Sequence, residues 1–309
     1  MTGGAGFIGS HIVAELVSRG EEVRVFDSFA TGLESNLAPL AGRVDVVRGD
    51  LRDGAAVSEA ARGATHVLHL GALGSVPRSV EDPLTSNDVN INGTLNVLVA
   101  ARDAGVERVV FSSSSSVYGA NTETPKRYGM STDPVSPYAV TKQAGESYVV
   151  SFSRVYGLPT VALRYFNVFG ENQRPDSAYA AVIPKFMEWA MRGEPLVIHG
   201  DGLQSRDFTY VDNVVSANLL AATTEGVSGQ VFNIACGGSC TLLDIADALE
   251  RALGKPLERR HVEGRVGDVR ASLADIAPAE ERLGYRVLVG FDEGLARTWK
   301  SFQARYGAN

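Results

Sequence analysis

The stretch MTGGAGFIGS, residues 1–10, decides the fold. Its glycines at 3, 6 and 9 have the spacing of a turn that leaves a buried strand, passes beneath a pyrophosphate and opens a helix. The first glycine permits the tight turn, the second lets the backbone approach the anion, and the third lets the helix pack close to the sheet. The helix follows at once in SHIVAELVSRG (10–20), whose apolar residues recur at helical spacing. Of the strand, only Met1 and Thr2 stand before the turn. In a doubly wound sheet that strand is central, and losing about five of its residues leaves the hydrogen-bonding groups of both neighbours without partners. Taken from Met1, the chain is expected to carry a gap at the sheet's centre and to bind a dinucleotide more weakly. A natural start several residues upstream, with a short apolar strand, is the expectation that would remove the gap.

Outward from the turn, strand-like runs alternate with helical ones. EEVRVFD (21–27), VDVVRGD (44–50), THVLHLGA (65–72), ERVVFSSSS (107–115) and PTVALRYFN (159–167) are separated by AAVSEAARG (55–63), NINGTLNVLVAARDAG (90–105) and YAVTKQAGESYVVSFSRVYG (138–157). This rhythm predicts an α/β fold with a doubly wound parallel (Rossmann) sheet, whose ligands sit beyond the carboxyl ends of the strands. After residue 168 the rhythm gives way to loops with Pro175, Pro184 and Pro195, and then to QVFNIA (230–235) and TLLDIADALERALG (241–254). The expected division is a dinucleotide-binding domain from 1–167 and 209–235, and a smaller substrate domain from 168–208 and 236–309.

The second strand ends in Asp27, where a carboxylate can bond both hydroxyls of an adenosine ribose. It also repels a 2′-phosphate, and no Lys or Arg follows until Arg43, which favours NAD over NADP. Asp50 ends the third strand and is placed either at the adenine edge or as a helix N-cap. The serine run 112–116 continues an apolar strand and so sets several hydroxyls at a carboxyl end. In SPYAVTK (136–142), Tyr138 and Lys142 share a helix face at i and i+4. An ammonium beside a phenol, helped by a positive nicotinamide ring, is expected to lower the tyrosine pKa from about 10 toward neutrality and make Tyr138 a general base.

Composition narrows the partners. The 309 residues are 44% hydrophobic, and 29 basic against 36 acidic residues give a net charge of −7, so neither nucleic acid nor an anionic membrane surface is expected as partner. Cys236 and Cys240 lack the further Cys or His spacing of a metal site and read as reduced thiols; no metal is expected. No run approaches the roughly 18 apolar residues of a membrane span, and no secretion signal is evident, so a cytoplasmic protein is expected. His11, His66, His69, His199 and His261 are scattered and read as structural.

Together TGGAGFIGSH, ALGSVPRS, NINGTLNVL, SSSSSVYG, SPYAVTK, LRYFNVFG, AYAAVIPKF, GDGLQSRDFTYVDN and GDVRASLADI resemble the extended short-chain dehydrogenase/reductase family over essentially the whole chain. Within it the chain is similar to the UDP-sugar 4-epimerases, most closely the UDP-N-acetylglucosamine branch. The resemblance implies NAD as cofactor, held by Gly3, Gly6, Phe7, Ile8, Gly9, Asp27, Asp50, Leu51, Leu70, Gly71, Asn90, Ser112, Tyr138, Lys142 and Phe166. It makes Ser114 the hydroxyl at the sugar O4, Tyr138 the base and Lys142 the residue that orients the nicotinamide ribose. A UDP-sugar would meet Ser75, Arg78, Ser114, Asn167, Gln173, Ala181, Val182, Arg206, Arg265, Asp268 and Ser272, with 178–186 packing the uracil and the arginines gripping the pyrophosphate.

The implied reaction removes hydrogen from C4, passes through a 4-keto sugar that turns about its pyrophosphate, and returns the hydrogen to the other face. The related dehydratases carry an acid pair where Ser115 and Ser116 stand. Relatives restricted to non-acetylated hexoses usually carry tyrosine at the position of Ser272, so serine leaves room for an N-acetyl group. UDP-GlcNAc/UDP-GalNAc is the leading substrate pair, with UDP-glucose/UDP-galactose also admitted. A UDP-glucuronate 4-epimerase and a non-catalytic NAD-binding sensor are the alternatives, and Arg78 can be read toward glucuronate. The resemblance also implies a homodimer through helices at 87–104 and 138–156, while residues 120–137 are expected to cover the cofactor.

Overall fold

The predicted alternation is present in the computed structural model, which describes residues 1–175, 181–264 and 270–307. Arg265 and Asp268, and the 178–180 portion of the uracil stretch, lie outside the described residues. The first part runs α1 (Phe7–Ser18), β1 (Arg24–Asp27), α2 (Glu34–Leu37), β2 (Asp45–Arg48), α3 (Gly54–Ala61), β3 (His66–His69), α4 (Val76–Glu81), α5 (Pro83–Asn87), α6 (Gly93–Asp103), β4 (Arg108–Ser114), α7 (Pro137–Tyr156) and β5 (Thr160–Tyr165). It continues with β6 (Val168–Phe169), α8 (Val182–Arg192), β7 (Leu196–His199), β8 (Ser205–Arg206), β9 (Thr209–Tyr210), α9 (Val211–Thr223) and β10 (Gln230–Ile234). The remainder is β11 (Cys240–Thr241), α10 (Leu242–Leu253), β12 (Arg259–Val262), β13 (Ala271–Ser272), α11 (Ala277–Arg282) and α12 (Phe291–Tyr306).

Parallel pairing orders the main sheet as β10-β5-β4-β3, with β1-β2 beyond. Side chains along β4 and β5 alternate between its two faces as strand geometry requires. Val110, Val161 and Leu163 pack with Ile12 of α1 and Val214 of α9, whereas Val109, Phe111 and Ala162 pack with Leu98 of α6 and Val149 of α7. All six residues of β5 are buried, as a strand covered on both faces must be. A separate core gathers Phe169, Phe186 and Ile183, Leu196, Phe208, Leu249 and Trp299 around α8, α10 and α12. There β7 pairs with β12, and β8 lies between β11 and β13, with Ser272 opposite Arg206. Helix α11 packs on β10.

Between β1 and β3 only the start of the chain intervenes: Met1 N donates to Arg24 O at 2.6 Å, Phe26 N to Met1 O at 2.8 Å, Thr2 N to Leu68 O at 3.0 Å, Gly3 N to Phe26 O at 3.0 Å and Leu70 N to Thr2 O at 3.2 Å. These bonds close the carboxyl-end side of the sheet, where Thr2 bridges Phe26 and His69. Behind Met1 lies a cleft of about 1130 Å³, with Arg24, Phe26, His66 and Leu68 on its strand edges and Leu16, Val57, Val97 and Leu219 from the flanking helices. The amino group of Met1 sits in it, and burial together with the Arg24 charge lowers its pKa to about 5. The cradle-side end of the central strand is thus kept by two residues, while its other end is a slot.

Among the described residues no helix is long and apolar enough to cross a membrane. Both cysteines are free thiols, pushed by burial to about 11.

Candidate active site

The turn after Thr2 is a cradle that excludes side chains. Gly3 has φ +71°, and a Cβ there would lie 2.6 Å from the Gly71 nitrogen, while one at Gly9 would lie 2.1 Å from the Gly3 carbonyl oxygen. Gly6 is the N-cap of α1, no side chain caps it, and no acid stands in the first turn, so the free N–H groups and the positive helix end are left for an anion. Asp27, buried at the end of β1, accepts from Ala5 N at 2.9 Å and Phe29 N at 2.8 Å. It therefore braces the turn as well as facing a crevice of about 210 Å³ lined by Gly3, Gly6, Asp27, Asp50, Leu51, Leu70 and Gly71. A glycine cradle under a helix N-terminus, with a carboxylate beyond, fits a dinucleotide.

Asp50 is not the helix cap: Asp53 caps α3, accepting from Ala55 N and Ala56 N. Asp50 instead grips Arg52 Nη2 at 2.6 Å, and the bonds from Arg52 hold its carboxyl below the usual range. Arg52 lines the same crevice, a basic residue that distance along the chain from Asp27 did not suggest. The side chains of Phe7 and Ile8 pack into the two cores, which leaves their backbone amides as the groups facing the cradle.

At the carboxyl end of β4 three predicted side chains converge. Tyr138 lies near enough to Ser114 for that hydroxyl to perturb the phenol, and has its ring centroid 5.9 Å from Lys142 Nζ. Lys142 is buried and donates to Ser112 O at 2.7 Å. Helix α7 delivers the pair because Ser136 caps it through Ala139 N and because Tyr138 N donates to Ser79 Oγ at 3.0 Å, so α4 fixes its first turn. Asn90 clamps the loop after β3, accepting from Leu73 N at 2.7 Å, and donates to Thr141 Oγ1 at 3.0 Å.

The chain's own residues, without the positive nicotinamide ring, do not lower the Tyr138 pKa. Burial raises it and the nearby Ser114 hydroxyl opposes that only in part, while burial also lowers Lys142 to about 8. Burial is the larger cause, and the Lys142 ammonium donates to the Ser112 carbonyl. The chain's own residues thus hold Tyr138 as a neutral phenol.

The sequence profile of the NAD dependent epimerase/dehydratase family matches residues 1–235. The chain belongs to this family. Its similarity to individual members extends over nearly the whole length. A UDP-N-acetylglucosamine 4-epimerase from Methanobrevibacter ruminantium M1, solved with UDP-N-acetylmuramic acid, is 40% identical, with TM-score 0.94 over 98% of this chain and 97% of its own. The UDP-glucose 4-epimerase of Thermus thermophilus, solved with NAD, is 38% identical, with TM-score 0.89 over 100% and 98%. A UDP-glucose 4-epimerase of Mycolicibacterium smegmatis is 37% identical over 98% of this chain and 97% of that protein.

On the other side of this epimerase/dehydratase site the predicted substrate residues divide. Asn167, with φ +35°, donates to Asp207 O at 2.9 Å, and Arg206 and Ser272 face each other across β8 and β13. Ala181 and Val182 form the N-cap and first residue of α8. Gln173 donates to Val168 O at 3.2 Å and keeps a buried Oε1 without a protein partner. Ser75 caps α4 through Arg78 N at 3.2 Å, a structural task. Phe166 corrects the expectation for its ring: it is fully buried with Tyr118, Ala235 and Ala274, so only its backbone could meet a cofactor.

Three residues escaped sequence reasoning. Asp207 is fully buried, collects N–H bonds from Cys236 at 2.9 Å, Gly237 at 3.1 Å and Ala274 at 3.2 Å, and is pushed by burial up to about 6. It ties the strand of Arg206 to the segment just past Ser272. Glu146 and Arg164 form a buried ion pair behind the serine strand. The spacing of Glu146 four residues beyond Lys142 was the available signal for the second of these.

Residues 120–137 join two distant elements. Lys126 N donates to Leu273 O at 2.7 Å and Asp275 N to Lys126 O at 2.9 Å, while Thr132 accepts from Gln143 of α7. The segment straps the strand of Ser272 to the helix of Tyr138.

Proposed function

We propose that this chain is an NAD-dependent UDP-hexose 4-epimerase, acting on UDP-GlcNAc/UDP-GalNAc and also admitting UDP-glucose/UDP-galactose. The observation that carries this is the convergence of Ser114, Tyr138 and Lys142 at one strand end, with serines rather than an acid pair at 115 and 116. A hydroxyl-rich end can move a proton to and from a sugar oxygen but lacks the carboxylates that elimination needs. NAD, bound on the glycine cradle, supplies a reversible acceptor for the hydrogen at C4, so the sugar passes through a 4-keto form without net oxidation.

The protein's part is proton transfer and placement. Tyr138 exchanges the proton of the C4 hydroxyl, Ser114 bonds the same oxygen, and Lys142, anchored on Ser112 O, holds the positive charge of the site in place. Residues 1–167 and 209–235 carry the dinucleotide, and 168–208 and 236–309 carry the UDP-sugar, with Asn167, Arg206 and Arg265 at the pyrophosphate. Ser272 leaves space at the sugar C2.

A coupled assay with UDP-GlcNAc, UDP-glucose and UDP-glucuronate tests the reading. Turnover of the first two is expected, and Ser272→Tyr should cut kcat/KM for UDP-GlcNAc by about 10-fold or more while sparing UDP-glucose. Turnover of UDP-glucuronate alone transfers the assignment to the glucuronate epimerases, and turnover of none leaves an NAD-binding sensor.

The assembly we propose is a homodimer. Leu84 of α5 is 82% exposed and Val155 of α7 68% exposed, with Val80 and Val140 also uncovered on the same group of helices. A second copy would cover them, and equilibrium sedimentation should give twice the chain mass; a monomer at micromolar concentration contradicts it. Two free thiols suit a reducing compartment, which supports a cytoplasmic location.

A further inference from the structure

Glu146 lies one helical turn beyond Lys142 on the same face of α7. It is almost fully buried, and its carboxylate accepts from Ser113 Oγ at 2.5 Å and from Arg164 Nε and Nη2 at 2.7 Å each. The guanidinium stacks 4.7 Å from the Tyr118 ring centroid and 5.6 Å from that of Tyr128, on the strap. Its Nη1 has no hydrogen-bond partner, so the pair is not fully satisfied by its surroundings. A buried ion pair is a poor way to gain stability, since apolar side chains of similar volume do as well or better. Its position beside a buried ammonium suggests another use.

The ionisable groups around Lys142 are few. His69 faces it from β3, kept neutral by burial and by the Lys142 charge at a pKa of about 3. Tyr138 is neutral on the same helix, and Tyr118 and Arg164 stand beyond Glu146. Of the other elements packed on α7, α4 brings Arg78 and Glu81, Asp88 after α5 lies 3.8 Å from Arg52, and Arg102 of α6 pairs with Asp103 at 2.7 Å. Glu146 is the group whose charge opposes the effect of burial on Lys142.

We propose that Glu146, clamped by Arg164 and Ser113, is a positioning residue that supplies the counter-charge for Lys142 and locks its helix to the serine strand. Ser113 carries the link: it sits between Ser112, whose carbonyl holds Lys142, and Ser114, which lies beside Tyr138. One carboxylate thereby sets both the charge of the ammonium and the register of the hydroxyl it serves. The significance for turnover rests on the reading of Tyr138 and Lys142 given above; the electrostatic role does not.

Direct titration of the lysine side-chain nitrogens by NMR, in protein labelled with 15N-lysine, tests this, with Lys142 assigned by its absence from Lys142→Met. In Glu146→Gln the Lys142 midpoint should fall by about one pH unit or more, because a buried guanidinium is left without its partner. The double variant Glu146→Gln/Arg164→Met removes both charges and should recover part of the fall, remaining below the wild type. If the single variant does not fold, the double variant is compared with the wild type directly. An unmoved midpoint in either case overturns the proposal, as does a double variant no higher than the single one. In turnover, the alkaline limb of the kcat profile should move with the midpoint; a purely structural role would lower kcat and leave the limb in place. A wild type that turns over no UDP-hexose refutes the epimerase reading, and the NMR midpoint still decides the role of Glu146.

Discussion

Tyr138→Phe is expected to lower kcat for C4 epimerisation by about 10²–10⁴-fold, the range of general acid–base catalysis by a positioned side chain. The substitution removes one oxygen and keeps the ring. The helix stays where it is because its start is held by the backbone N–H of residue 138 on Ser79 Oγ and by the Ser136 cap, neither of which uses the phenol. Dinucleotide affinity should fall less than kcat, since Lys142 stays on Ser112 O. The loss should therefore appear mainly in kcat, with stability near wild type and a smaller loss of dinucleotide affinity; stopped-flow or steady-state kinetics beside a dinucleotide titration separate the two. Retention of more than about a tenth of the activity would mean that another group moves the proton. Ser114 would then be the group to examine, as a hydroxyl beside the phenol.

The slot between β1 and β3 gives the second large effect. Joining five β-branched apolar residues to the amino end of Met1 should raise the thermal midpoint by about 5 °C or more, with each kcal/mol gained worth about 2–4 °C in a domain of 150–250 residues. The physical case is that the cleft of about 1130 Å³ already has strand edges on both sides and helical apolar residues above and below. An added strand would continue the ladder that Met1 and Thr2 begin, and each buried apolar side chain contributes about 1.5–3 kcal/mol against about 1–2 kcal/mol of backbone ordering. It would also replace the Met1 amine, lowered to about 5, with a neutral amide. Because the pKa of that amine is depressed on folding, the folded chain binds fewer protons than the unfolded one between about pH 5 and 8, and the penalty grows as pH falls through that window. The gain from the added strand should accordingly be larger at pH 6 than at pH 8. Calorimetry at both values checks it; an unchanged midpoint would mean the slot is already closed by relaxation of β1 and β2. The two residues that do pair lie directly before the cradle, so the stability gain should exceed any change in the cradle itself.

Much of the chemistry was legible along the chain because it depends on local spacing. The glycines at 3, 6 and 9, the acid ending β1, the serines ending β4 and the Tyr138–Lys142 pair each lie within one turn or one strand, and backbone geometry converts their spacing into direction. The alternation of strand and helix patterns determined the parallel sheet for the same reason.

What only the tertiary structure decided depends on residues far apart in sequence. Whether Tyr138 ionises is set by how deeply it is buried, and burial is a property of the packed fold that no spacing reports. Phe166 sits in a core made with Tyr118, Ala235 and Ala274, and Lys126 pairs with the strand after Ser272 across nearly half the chain. Arg164 meets Glu146 because β5 and α7 pack together, with no local pattern to announce it. The sequence by itself determined which groups stand at the strand ends, because short-range backbone geometry points them there; the tertiary structure determined their charge and their supports, because desolvation and long-range pairing exist only once the layers close.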